Sequence, residues 1–120
     1  MPSVRLQRVC ELLKREIGEA IRREIPVSEA GLVTVNDVDV ASDLHTALVF
    51  VSILGNADQQ KRGAAMLNTH RLRIQSMVAH SVILKYTPKL RFIMDDSVVR
   101  GNRVMRIFDE LEKNDKPGEE

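Results

Sequence analysis

The chain has 120 residues, enough for one compact domain with a modest core, and its 43% hydrophobic content excludes a disordered polypeptide. Aromatic residues are only 3%, so the core must be aliphatic, and the single Cys10 excludes an internal disulfide and a cysteine-rich zinc site. The net charge is only +1, yet residues 59–94 hold Lys61, Arg62, Arg71, Arg73, Lys85, Lys89 and Arg91 without one carboxylate, a concentration of positive charge that attracts polyanions.

Residues 3–25 read as a helix. Leu6, Val9, Cys10, Leu13, Ile17, Ala20 and Ile21 recur at three- and four-residue steps and make one apolar stripe. Ser3 is a fitting N-cap, and Pro26 disfavours helical geometry at Ile25. Cys10 lies on the stripe, which assigns it to the core rather than to nucleophilic chemistry. The segment PVSEAG reads as a loop. Two strands follow. In GLVTVNDVDV the apolar parity changes between Val35 and Val38, with Asn36-Asp37 at the change, so a β-bulge is expected there. TALVFVSIL has apolar residues on both parities, which predicts burial on both faces. The pair forms an antiparallel hairpin.

Gly55 and Asn56 end the second strand, and residues 57–84 read as two helices or one kinked helix, with the weak helix formers Asn68, Thr69 and His70 at the junction. Pro88 ends the helical region, and LRFIM is a third strand in which Phe92 is expected to be buried on the sheet's core face. Residues 97–113 read as a last helix, with Val104, Ile107, Phe108 and Leu111 on one face, and residues 114–120 as a flexible polar tail. The whole reads as an α+β domain, its helices packed on one face of a small sheet. No apolar run reaches the length of a membrane span, and the N-terminal residues lack the apolar stretch of a secretory signal, so a cytoplasmic protein without membrane contact is expected.

Catalytic constellations are sparse. Asp95 and Asp96, at a strand-to-helix junction, are best explained as N-cap and helix-dipole residues, since neither a histidine nor another carboxylate is near them in sequence. Asp43 and His45 read as a turn in which the carboxylate bonds local backbone. His70 and His80 have no companions at metal-ligand spacing, and no glycine-rich phosphate loop is present. No enzyme activity, cofactor, metal or small-molecule substrate is indicated. The basic helical surface points to phosphate contacts rather than base reading, because too few aromatics exist for a stacking platform. A protein-interaction module whose basic face is merely solvated is the alternative.

Three stretches carry a family likeness: RLQRVCELLKREI, VTVNDVDVASDLHTALVFVSILG and PKLRFIMDDSVVRGNRV. In the last, Pro88, Leu90, Phe92, Asp95 and Ser97 follow a P-x-L-x-F-x-x-D-x-S pattern, with Gly101 after it; in the second, Val38, Ser42, Asp43, Leu44 and Ala47 stand where the family has them. Through residue 113 the chain resembles bacterial ribosome-binding factor A. The resemblance implies a KH-like domain of type II topology, α-β-β-α-α-β, over residues 1–113 with a further C-terminal helix. It implies a monomeric, non-catalytic factor that binds the small ribosomal subunit and its rRNA near the neck, assists late maturation including processing of the rRNA 5′ end, and matters most in the cold. The family's Ala-x-Gly kink between the paired helices is replaced here by His70-Arg71-Leu72. The residues expected to meet RNA are Arg62, His70, Arg71, Arg73, Lys85 and Lys89, with Arg5 and Arg8 on the first helix.

Overall fold

The computed structural model describes residues 4–41, 43, 45–82, 87–95 and 108–111. Its elements run α1 (Val4–Glu24), α2 (Val27–Ala30), β1 (Leu32–Val40), β2 (Thr46–Leu54), α3 (Ala57–Thr69), α4 (Arg71–Ser81) and β3 (Lys89–Met94). The sheet order is β1-β2-β3, with β1 antiparallel and β3 parallel to β2. This is the expected α+β, KH-like arrangement. Residues 108–111 are helical, within the span expected for the last helix. Ser3, the other residues of that helix, and the polar tail lie outside the described residues.

The stripe of α1 explains its placement. Leu13, Ile17, Ala20 and Ile21 are buried, and Leu6, Val9 and Cys10 pack partly buried against the same core. Pro26 stops the helix, but the segment after it is not the expected loop. Pro26, at φ −69° and ψ 133°, instead serves as N-cap of the single-turn α2. Proline fits a helix start because it has no N–H to leave unpaired. Gly31 closes this turn at φ 72°, and an added Cβ would lie 2.7 Å from the Leu54 carbonyl oxygen, so both backbone angle and space demand glycine.

The bulge falls where the parity predicts it. Val35 pairs with Val51 and Asp37 with Phe50, leaving Asn36 as the extra residue. Its effect is to put Val33, Val35, Val38 and Val40 on one face, opposite Ile53, Val51, Val49 and Ala47. That face meets α1, Leu67 of α3, and Ile74 and Val78 of α4. The opposite face carries Leu48 and Phe50, both essentially inaccessible to solvent, which bears out the reading of this part of β2 as buried on both faces. Among the described residues, α1, α3 and α4 pack on the first face, as expected.

Two further expectations shift. The helix α4 ends at Ser81, and Val82 is already extended at φ −121° and ψ 127°, so Pro88 introduces β3 rather than ending the helix. Phe92 does lie on the core face, opposite Val49, but on an edge strand it is only partly buried.

Candidate nucleic-acid interface

The junction between α3 and α4 is the centre of the basic region. Asn56 starts α3 with a capping box: its side chain accepts from the Gln59 N–H at 2.8 Å, and the Gln59 side chain accepts from the Asn56 N–H at 3.0 Å. The helices meet at His70, whose φ of −96° and ψ of 9° lie in the bridge region, which does not require glycine. Its N–H bonds the Met66 carbonyl and its carbonyl accepts from Ile74 N–H, so backbone bonding continues through the junction. A kink thus forms at His70 without glycine.

The side chains around this kink are fixed from two directions. From α1, Glu24 brings a partly buried carboxylate to within 2.7 Å of Arg73 Nε and 3.3 Å of His70 Nδ1. From the sheet, the outer edge of β3 is engaged by α4: Leu90 N–H donates to Gln75 Oε1 at 3.0 Å, and Arg71 Nη1 donates to the Leu90 carbonyl at 3.4 Å. These contacts close part of the free edge of β3, which would otherwise template pairing with another strand. Between the two arginines, Leu72 projects into solvent and is 66% exposed. Arg62, on α3, donates Nε to the Glu29 carbonyl at 3.0 Å.

Internal bonds therefore occupy one N–H of each of Arg62, Arg71 and Arg73. A guanidinium has five N–H donors, so each keeps others for an external oxygen. Arg73 remains 71% exposed at its side chain despite its ion pair. Holding one end of each arginine lowers the ordering that binding an anion would require. Arg62 lies eight residues before His70 on α3, about 12 Å along the helix, and forms a separate patch. Lys89 is exposed at the start of β3, where its N–H bonds the His45 carbonyl. Arg5 and Arg8 are exposed on α1. Lys85 lies outside the described residues.

Sequence reasoning missed Glu24 and Gln75. The carboxylate-free window is real along the chain, but folding brings Glu24 into it from α1. The only sequence hint was that Glu24 lies at the last turn of α1, where a carboxylate is unfavourable for the helix dipole.

Among the described residues, the carboxylate of Asp95 meets an amide rather than an acid or a base. Its N–H donates to the Val51 carbonyl, and its Oδ2 accepts from Asn36 Nδ2 at 2.7 Å. Asn36 also exchanges hydrogen bonds with Ser52 Oγ. The bulge residue thus ties β1 to both other strands, which makes Asp95 structural through a contact that capping did not foresee. Asp96 and the expected helix start lie outside the described residues. Asp43 Oδ1 accepts from the His45 N–H at 2.9 Å, the turn expected there. Burial pushes the Cys10 thiol above its ordinary value, an effect only partly offset by a backbone hydrogen bond at Val40. This suits a core residue. Among the described residues, no helix is long and apolar enough to cross a membrane.

The family model for ribosome-binding factor A matches residues 5–108. The chain belongs to the ribosome-binding factor A family. It is 36% identical over 115 residues to a ribosome-binding factor A from Opitutus terrae, covering 96% of this chain and 93% of that protein. It is 39% identical over 114 residues to one from Gloeobacter violaceus, covering 92% and 88%. The crystal structure of ribosome-binding factor A from Thermus thermophilus superposes with a TM-score of 0.66 at 21% identity, covering 74% of this chain and 94% of the other. A homology model of the Thermus thermophilus factor, fitted into a cryo-electron microscopy map of a 30S–RbfA complex, superposes at 0.62 with 22% identity, covering 73% and 92%. Both structural likenesses carry the fold, whose paired helices in this chain meet at His70.

Proposed function

We propose that this protein binds the small ribosomal subunit through phosphates of its rRNA, and acts there as a non-catalytic, monomeric assembly factor. Late maturation, including processing of the rRNA 5′ end, is the step it assists, in the cytoplasm and most strongly in the cold. Membership of the family is the observation that carries this reading. The kink supports it physically, since Arg71 and Arg73 are oriented by Leu90 and Glu24 while keeping donors for an anion. Arg62, Lys85 and Lys89, with Arg5 and Arg8 on α1, supply the remaining phosphate contacts, and His70 sets the kink.

Sedimentation of extract from cells making the tagged protein tests the proposal. The protein is expected with small-subunit particles at low salt and is expected to leave them steeply as salt rises. Recovery only at the top of the gradient at low salt would refute the reading. Association with a protein that survives complete digestion of RNA would favour the solvated-face, protein-binding alternative.

A further inference from the structure

Helix α1 carries every basic residue of the first half of the chain: Arg5, Arg8, Lys14, Arg15, Arg22 and Arg23. All six are exposed. Its four carboxylates are distributed differently. Only Glu11 and Glu19 are exposed; Glu16 is partly buried, and Glu24 is turned toward His70 and Arg73. Arg22 pairs with Glu19, and Arg15 approaches Glu16 only at 3.8 Å. Among the described residues, Arg5, Arg8, Lys14 and Arg23 enter no ion pair. The solvent face of α1 is therefore strongly cationic, although the helix as a whole is nearly balanced.

The cations are also regularly placed. Arg8, Arg15 and Arg22 are seven residues apart and project along one line, about 10.5 Å from each to the next. The groove between α1 and α4 is of mixed charge, lined by Arg23 and Arg73 but also by Glu16, Glu19 and Glu24, so the cationic line belongs to the outer face of α1 alone. From Val4 to Glu24 the rod extends about 31 Å.

We infer that the outer face of α1 is a track for double-stranded RNA, with Arg8, Arg15 and Arg22 as phosphate contacts spaced along it. The inference rests on the RNA-binding reading above and adds a ligand class to it. Three observations favour a duplex. A straight rod with evenly repeated cations matches a stiff, regularly charged partner. The face has no aromatic side chain, and proteins that hold single strands use aromatic stacking platforms. Its only exposed large apolar residue is Val4, at the very start, whereas a protein partner needs a buried apolar anchor near the centre of the interface. Duplex RNA is recognised largely by shape and backbone, for which this face is equipped.

The test measures binding of the full chain and of an Arg8→Gln/Arg15→Gln/Arg22→Gln variant to a duplex RNA, and to a single strand of equal length, across a salt series. Glutamine is a comparable helix former, and the one close ion pair lost is exposed and contributes little, so the variant is expected to melt with the parent. The parent is expected to prefer duplex to single strand at least five-fold. The variant is expected to lose ten-fold or more for duplex, and its salt slope is expected to fall by roughly 2–3, near 0.9 per lost phosphate contact. Equal binding of duplex and single strand by the parent, or an unchanged slope in the variant, would overturn the inference. Parent and variant are also assayed on purified small subunits. Failure of the parent there refutes the functional reading itself. Binding of parent and variant to subunits, with the same salt slope, removes only the α1 track.

Discussion

Replacing Gln75 by alanine removes the acceptor of the Leu90 N–H. Leu90 is completely buried and sits on an edge strand, so water cannot freely replace the lost 3.0 Å bond. A buried amide left without a partner costs about 1–3 kcal/mol, more than the net value of an ordinary hydrogen bond. Alanine's better helix propensity returns only a few tenths of a kcal/mol at most. The net loss is therefore about 1–2.5 kcal/mol, or a fall in melting temperature of roughly 4 °C per kcal/mol for a chain of this size. Urea denaturation gives the free energy, and amide exchange at Leu90 gives the local effect. Gln75→Glu keeps an acceptor oxygen at the same reach and is expected to retain protection at Leu90. A Gln75→Ala variant with parental stability and parental Leu90 protection would refute the claim that α4 satisfies the edge of β3.

Three other predictions follow from burial and bonding. Phe50→Ala is expected to cost about 3–5 kcal/mol, and Phe92→Ala distinctly less, because Phe50 is inaccessible while Phe92 is only partly covered; urea titration of both variants reads the order, and equal losses would contradict it. Asp95→Asn is expected to keep association with small subunits, since its amide oxygen can still accept from Asn36, whereas Asp95→Ala removes one of the Asn36 amide's two acceptors, leaving Ser52, and is expected to cost about 1 kcal/mol; loss of subunit association by a fully folded Asp95→Asn would assign the carboxylate a functional role. Burial raises the folded Cys10 thiol above its unfolded value, so above about pH 8.5 the unfolded chain loses this proton first and stability falls as pH rises. A Cys10→Ala variant is expected to show a flatter stability curve between pH 8 and 10, and identical curves would exclude the thiol as a contributor.

The elements with strong internal signals were legible in the sequence. The parity change around Asn36 located the bulge, the mixed parity of TALVFVSIL foretold a doubly buried strand, and Pro26 marked the end of α1. The junction at Asn68–His70 was visible as a run of weak helix formers. What sequence periodicity cannot carry is contact between distant elements. Glu24 and Arg73 lie 49 residues apart, and Asn36 and Asp95 lie 59 apart, so neither pairing leaves a local pattern. Phe92 misled because its motif gave it prominence, while edge position limited its burial. The charge window misled in a similar way, since absence of acid along a segment does not keep acid away in space. Reversing Arg73 to glutamate would set it against Glu24, so neutral replacements are the cleaner probe of this site.

The most direct measurement is the affinity of Arg71→Gln/Arg73→Gln for purified small ribosomal subunits over a salt series, beside Lys113→Gln/Lys116→Gln as a control of equal charge change. The kink variant is expected to bind at least ten-fold more weakly, with a salt slope reduced by about 2, and the control to match the parent. Equal affinity and slope for both variants and the parent, with all three folded, would contradict the assignment of the α3–α4 kink as the phosphate-binding site.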